Sequence, residues 1–229
     1  MTRRGLMGIV MTVWGVFLLW IGASGAMTRF LGPRTYWVAW FGAAGLLVAG
    51  AFTTLQAVRS RGPGARGADA LGAAILLAPL LLVAALPAPR LGAQAASRKA
   101  SAVGALASFV PPPRSDGRVG LEEIHYASMS LEYADSVGIT DGLEVSLVGF
   151  VTHPKRASGD TFAVTRFYIS CCAADAVPYS VVVDPGTSGD LPDDTWIRVE
   201  GTLARTADGF VVNASDVTQI DEPESPYLY

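Results

Sequence analysis

Histidine and cysteine are scarce in this sequence. Its 229 residues include two of each, and the two cysteines, Cys171 and Cys172, are adjacent. A disulfide bond between sequence neighbours forces a strained peptide, so these residues do not form a disulfide framework and are expected as free thiols or metal ligands. The sequence also contains no Ser/His/Asp arrangement, no GxGxxG motif and no Walker loop. These absences predict a protein that is not an enzyme.

Acidic residues are almost absent from the first half of the chain. Residues 1–110 contain ten Lys and Arg but a single acid, Asp69, whereas residues 111–229 contain seven Lys and Arg and nineteen Asp and Glu. This division is typical of a membrane region followed by a small, acidic soluble domain. Because an acidic domain repels phosphate backbones, we expect no nucleic-acid partner, and cations or basic protein surfaces are favoured instead.

Three long apolar runs in the first half contain no charged residue. They cover Leu6–Met27, Tyr36–Val58 and Leu71–Ala88, and a membrane span needs roughly 20 apolar residues. The length of the first run, and the two runs that follow it, favour a retained helix over a cleaved signal peptide. Because no ionisable group lies inside a span, three such helices do not form a transport path by themselves. The pattern predicts a multi-pass protein of the inner (plasma) membrane, surrounded by the lipid bilayer.

The distribution of basic residues around the spans predicts the orientation. The loops on the two sides of the membrane hold five Lys and Arg each, so the total does not decide it. Arg3 and Arg4 adjoin the first span, however, and the densest short basic loop, Arg59 to Arg66, lies on the same side as the N-terminus. Basic loops face the cytoplasm, so we expect the C-terminal domain to be extracytoplasmic.

The second span also carries a face of small residues, which allows close helix packing within the chain or against another membrane protein. This face contains Gly42, Ala43, Ala44, Gly45, Ala49, Gly50 and Ala51. The third span contains Pro79, which would kink its helix.

The second half alternates short apolar segments with turn signals. A short helix is predicted over Ser128–Val137, and glycines such as Gly149 would bend the first and fourth strands. Five short, bent strands favour an OB-like barrel, with a β-sandwich as the alternative. The strands are predicted over Leu143–Thr152, Thr161–Ser170, Val177–Val183, Thr195–Leu203 and Gly209–Ile220.

The predicted fold is therefore membrane α plus all-β, with three N-terminal transmembrane helices and a small C-terminal OB-like β-barrel. The three-helix transmembrane region covers residues 1–90, a Pro/Ala-rich linker covers 91–116, and the soluble β-domain covers 117–229.

The sequence around the cysteines carries a family resemblance. The block Arg166–Ala176 reads RFYISCCAADA, with VGFV at 148–151 before it, and Pro178 and TWIRVEG at 195–201 after it. In this order the segments resemble the YcgQ-like family, uncharacterised bacterial membrane proteins with a C-terminal domain of unknown function that are described as permease subunits. The resemblance implies an accessory protein working beside a permease. Many members carry a His-rich loop between the second and third spans, but here that loop, RSRGPGARGAD, has no histidine.

Cys171, Cys172 and Asp175 form the candidate site. Thiolates favour zinc, copper and other soft ions. Adjacent side chains of an extended strand point to opposite faces, so both sulfur atoms can bind one ion only if the chain bends there. His153 or His125 would supply a fourth ligand. Alternatively, His153 is a solvated turn residue and the cysteines are structural, since free cysteine is among the most buried residue types.

Three functions are consistent with this sequence. The first is a non-catalytic accessory subunit of a membrane permease, whose substrate the sequence does not name. The second is a membrane-anchored protein that binds a metal or metalloid, such as zinc or another soft ion, through Cys171 and Cys172. The third is a membrane-bound thiol oxidoreductase.

Overall fold

A computed structural model describes residues 2–59, 63–85, 91–99, 119–154, 161–186 and 191–229. The chain folds as two units. Unit 1 contains Met1–Arg90 and Ser170–Ala173, and unit 2 contains Leu91–Ile169 and Ala174–Tyr229. Residues 86–88, where the third span was predicted to end, lie outside the described residues, as do residues 100–118, which include most of the predicted linker.

Unit 1 contains three long apolar helices: α1 (Arg3–Ala23), α2 (Tyr36–Arg59) and α3 (Gly67–Ala85). All three are long and apolar enough to cross a membrane, as the sequence predicts. The hydroxyl oxygen of Thr2 accepts a hydrogen bond from the Gly5 amide and caps the start of α1. Pro79 lies inside α3. The chain is therefore a membrane protein.

The contact between α1 and α2 is made by small residues. A Cβ atom placed on Gly8 would lie 3.0 Å from the Gly50 carbonyl oxygen, and one on Gly50 would lie 2.9 Å from the Gly8 carbonyl oxygen. One turn pair further along, a Cβ atom on Gly15 would lie 3.2 Å from the carbonyl oxygen of Ala43, which is fully buried. Part of the predicted small-residue face of α2 therefore packs within the chain. Gly45, by contrast, faces open space.

The start of α3 is tied to the start of α1. Arg3 Nε lies 3.2 Å from Asp69 Oδ1 in the first turn of α3, and the other Asp69 oxygen accepts a hydrogen bond from the Arg66 amide at 2.9 Å. Further along, Trp14 Nε1 donates to the Leu76 carbonyl oxygen at 3.1 Å. The single acid of the first 110 residues thus holds the end of a helix.

Unit 2 contains a closed five-stranded barrel, built from the described residues. Its strands pair in the order β1-β2-β3-β5-β4 around the barrel; β3 and β5 are parallel, and the other neighbours are antiparallel. This closed order with one parallel pair is the OB-like barrel that the sequence predicts, and the β-sandwich alternative is wrong. The strands are β1 (Glu144–Thr152), β2 (Phe162–Tyr168), β3 (Val177–Asp184), β4 (Trp196–Thr206) and β5 (Gly209–Gln219).

The barrel is filled by side chains that alternate along the strands. In β4, Ile197 and Val199 are fully buried, whereas Arg198 between them is exposed. Gly149 lets β2 approach β1, since a Cβ atom there would lie 2.6 Å from the Thr165 carbonyl oxygen. The ladder from β1 to β4 keeps its register through Gly149, and the register shift lies instead between β4 and β5, at Glu200 and Gly201.

Three short helices accompany the barrel: α4 (Ala93–Lys99), α5 (Leu121–Met129) and α6 (Leu131–Val137). The predicted helix over Ser128–Val137 corresponds to α6, capped by Ser130, whose hydroxyl oxygen accepts from the Tyr133 amide at 3.3 Å. The helix α5 was not predicted. It buries Ile124 completely, and its Ser128 hydroxyl accepts a hydrogen bond from the Phe210 amide at the start of β5.

Candidate functional site

The chain bends sharply where the two cysteines lie. Strand β2 ends at Tyr168, and Ala173–Asp175 form a short 3-10 helix, so residues 170–175 make a turn between β2 and β3. We call this segment the dithiol turn. Because the chain is no longer extended at Cys171, the two side chains do not point to opposite faces, and their sulfur atoms lie 3.8 Å apart. The sequence left this bend as an open question.

Asp175 lies in the same turn as the two cysteines. One ligand atom from each of Cys171, Cys172 and Asp175 lies within 4.8 Å of the others. Cys171 is exposed and Cys172 is half-buried, so the group can be reached from solvent. The sulfur separation is well beyond the roughly 2.05 Å of a disulfide bond, and both residues are thiols. The turn therefore presents two soft ligands and one carboxylate together.

Within unit 1, the connection between α1 and α2 holds the backbone of the dithiol turn. The Cys171 carbonyl oxygen accepts a hydrogen bond from the Gly32 amide at 3.1 Å and another from the Thr35 hydroxyl at 2.7 Å. The Ala173 amide donates to the Phe30 carbonyl oxygen at 2.8 Å. These bonds fix the peptide groups on both sides of Cys172.

Within unit 2, Lys99 holds the second half of the turn. Its ammonium group donates to the carbonyl oxygens of Ala174, at 3.0 Å, and Ala176, at 2.9 Å. These two residues flank Asp175 in sequence, so the lysine places a positive charge beside the backbone of the carboxylate residue. Sequence reasoning missed both Thr35 and Lys99. They lie 136 and 75 residues from their partners, and no local pattern marks such contacts.

Neither histidine joins the group formed by the cysteines and Asp175 among the described residues. His153, predicted as a fourth ligand, follows β1, and its Nδ1 lies 2.8 Å from Asp193 Oδ1. The same carboxylate oxygen accepts a hydrogen bond from the His153 amide at 3.1 Å. This pair fits a turn histidine anchored by a neighbouring acid.

His125 lies on α5 against β3. Its Nδ1 lies 2.9 Å from the Ser180 carbonyl oxygen, and its ring packs on Tyr179 with 5.2 Å between ring centres. Burial lowers the pKa of His125, and the hydrogen bond to Ser180 partly opposes this effect. Burial also raises the pKa of Tyr179 far above its usual value, assisted by a hydrogen bond with Tyr126. His125 is thus a neutral histidine of the domain interior.

These features define a membrane protein whose second unit is an OB-like barrel and whose β2–β3 connection carries an accessible dithiol. Residues 104–229 match the DUF1980 C-terminal domain, and the chain belongs to this family. It is 31% identical, over 94 residues, to the UPF0703 protein YcgQ of Bacillus subtilis (strain 168). That match covers 38% of this chain and 33% of the relative, so the chain spans about a third of the length of this curated relative. The resemblance to the YcgQ-like family is confirmed.

Proposed function

We propose that the protein is a non-catalytic accessory subunit of a membrane permease in the inner (plasma) membrane. The observation that carries the proposal is the absence of ionisable side chains from the interior of the helices, at residues 5–23, 36–58 and 70–85. A path for a polar substrate normally requires such groups at membrane depth. Three apolar helices therefore suit an anchor or a docking element better than a conduit.

The outer surfaces of these helices support this role. Large apolar side chains on α2 and α3 are widely exposed in the isolated chain, with Phe41 76%, Val48 71% and Leu81 70% accessible. Apolar surface of this extent is stable against lipid tails or against the helices of another membrane protein. The interior of unit 1 is already packed through Gly8 and Gly50, so the outer faces remain for the bilayer and a partner.

The positions of the two histidines support a binding role over catalysis. His125 is buried and bonded to the backbone of Ser180, and His153 is paired with Asp193. A general base must reach the proton that it removes, and in the described residues neither ring is paired with a serine, threonine or cysteine side chain.

An extracytoplasmic C-terminal domain is the orientation that we propose. Arg3 and Arg4 at the start of α1 favour a cytoplasmic N-terminus. With three spans, the connection between α1 and α2 and the chain after α3 then lie on the same, outer side. The hydrogen bonds from Gly32 and Thr35 to Cys171 agree with this arrangement, because they join those two parts of the chain.

Co-purification from native membranes tests the permease role. The chain, tagged at its chromosomal locus, is extracted in a mild detergent, and the proteins that accompany it are identified by mass spectrometry. We expect a polytopic membrane protein in fixed stoichiometry, absent when an unrelated tagged three-span protein is purified in parallel. Recovery of the chain alone at native expression levels, in several detergents, would refute the proposal.

A further inference from the structure

We propose that the dithiol turn is a metal site that binds one zinc ion, or a soft divalent ion of similar size, through Cys171, Cys172 and Asp175. The inference does not depend on a permease partner, since all three ligands belong to one turn of this chain. It depends on the spacing of the ligand atoms, on the number of ligands and on the hydrogen bonds that hold the turn.

The sulfur spacing matches the geometry of zinc. Zinc binds each thiolate at about 2.3 Å in a tetrahedral arrangement. Two sulfur atoms on one such ion therefore lie about 3.8 Å from each other. The sulfur atoms of Cys171 and Cys172 are 3.8 Å apart, so they can bind one ion without a change in their separation.

The number of ligands points to a site that exchanges its metal. The Asp175 carboxylate supplies a third ligand within 4.8 Å of both sulfur atoms. Structural zinc sites are closed by four protein ligands, whereas three protein ligands leave a position for water or for a donor from another molecule. Among the described residues the group has three members, and Cys171 is exposed, so the fourth position faces outward. Such a site can receive an ion from a partner and pass it on.

The hydrogen bonds around the turn hold the ligands in place before the ion arrives. Thr35 and Gly32 bond the carbonyl group of Cys171, and Lys99 bonds the carbonyl groups on both sides of Asp175. The positive charge of Lys99 also offsets part of the negative charge that two thiolates and a carboxylate bring to a divalent ion. Outer contacts of this kind typically change metal affinity by about 10- to 100-fold. Thr35 and Lys99 are therefore positioning residues of the proposed site.

Binding replaces the proton of each thiol with a bond to the metal. Each zinc ion bound by two neutral thiols releases two protons, and no electron is transferred. Metal affinity should consequently rise with pH, as it does when ligands must be deprotonated. This pH dependence separates thiolate binding from loose association of zinc with surface carboxylates, which are already ionised at neutral pH.

Metal titration of the full-length chain in detergent tests the inference. The protein is kept reduced and anaerobic, and Zn²⁺ is added in competition with a chromogenic chelator of known affinity. Co²⁺ serves as a second probe, because thiolate ligation gives a charge-transfer absorption that carboxylate ligation does not. The variants are Cys171→Ser, Cys172→Ser and Asp175→Asn. Ala174→Ser is the matched control, since Ala174 is an exposed residue of the same turn without a ligand atom.

We expect one Zn²⁺ per chain in the unaltered protein and in the Ala174→Ser control. Each cysteine variant should lose affinity by more than about 100-fold, beyond the range for outer contacts, and should lose the cobalt–thiolate absorption. Asp175→Asn should lose about 10-fold and keep that absorption. Equal Zn²⁺ binding by the unaltered protein and both cysteine variants would overturn the proposal, as would a cobalt complex without the thiolate band. The co-purification result is independent of either outcome.

A folding defect in a serine variant is distinguished by Lys99→Met. This change leaves all three ligands in place and removes the two hydrogen bonds to Ala174 and Ala176. We expect a loss of Zn²⁺ affinity within the range of about 10- to 100-fold typical of outer contacts, with unchanged stoichiometry and cobalt spectrum, and partial recovery in Lys99→Arg. Identical affinity in Lys99→Met and the unaltered chain would contradict the positioning role.

Discussion

Gly8 and Gly50 face each other across the contact between α1 and α2, each placed so that a Cβ atom would lie within 3.0 Å of the other's carbonyl oxygen. Helices in a bilayer gain little from apolar burial, because lipid tails are as apolar as leucine. Their association depends on close backbone packing, which small residues permit. This pair therefore explains how two helices that bury few large side chains against each other stay paired.

The first prediction concerns Gly50→Leu. The added side chain meets the backbone of α1, and overpacking of this kind typically destabilises by about 1–3 kcal/mol. Gly45→Leu is the matched control, because Gly45 lies on the same helix with open space around its Cα atom. Thermal unfolding in detergent, followed by loss of a cysteine crosslink engineered between α1 and α2, should show a clear loss for Gly50→Leu and little change for Gly45→Leu. Equal stability of the two variants would contradict the packing described for these helices.

A second prediction concerns the buried hydroxyl of Thr165 in the barrel. Its oxygen lies 2.7 Å from the Thr152 hydroxyl and 2.8 Å from the Ser180 hydroxyl, and Thr165 is fully buried. Thr165→Val keeps the shape but leaves both partners short of one hydrogen bond, at a cost of about 1–3 kcal/mol. Thr202→Val on the exposed face of β4 should change stability by less than about 0.5 kcal/mol. Pulse proteolysis in urea measures both, and a neutral Thr165→Val would argue against the hydroxyl chain.

A third prediction follows from the buried histidine. Burial holds the pKa of His125 below its ordinary value of 6.5, so the unfolded chain binds a proton there more readily than the folded chain. The stability contributed by neutral His125 is present above pH 6.5. It declines as the pH falls below 6.5 and levels off below the lowered pKa of the folded state.

His125→Phe removes this titration and keeps a ring against Tyr179, while it loses the hydrogen bond with Ser180. We expect the variant to be less stable at pH 8, by about 1 kcal/mol, and to lose less stability than the unaltered chain between pH 7 and 5. The free energy of unfolding measured at both pH values tests this difference in slope. Parallel pH profiles for the two proteins would show that His125 does not titrate differently in the folded state.

Much of the fold could be predicted because its signals are local. The charge-free runs mark α1, α2 and α3, and the alternation of Ile197, Arg198 and Val199 marks a strand with one buried face. The helix α5 was missed because its apolar residues, among them Leu121 and Ile124, repeat over barely two turns and are interrupted by two glutamates.

The candidate site was harder to predict, because its geometry depends on where an apparently extended run stops. The run from Phe162 continues in sequence to Ser170, yet the strand ends at Tyr168 and the chain turns. The bonds from Thr35 and Lys99 that hold this turn join residues far apart in the chain, so no periodicity predicts them. The residue types of the site could be predicted, but their convergence on one face could not.

The last prediction tests the orientation and the metal site in the same cells. A membrane-impermeant maleimide added to intact spheroplasts should label the unaltered chain, because Cys171 is exposed and the dithiol turn is expected outside. The double variant Cys171→Ser, Cys172→Ser should be unlabelled. Gly64→Cys on that double-variant background should be labelled only after permeabilisation, since Gly64 is an exposed residue of the α2–α3 connection, on the cytoplasmic side of the proposed topology.

Added Zn²⁺ should slow labelling of the unaltered chain by at least about 10-fold, since a metal-bound thiolate is a poorer nucleophile for the maleimide than a free one. The same ion should leave labelling of Gly64→Cys unchanged, which controls for effects of zinc on the reagent. Labelling of the dithiol turn only after permeabilisation would reverse the proposed orientation. Because the metal ligands lie within one turn, zinc protection would still be expected in that case, and its absence would count against the metal site alone.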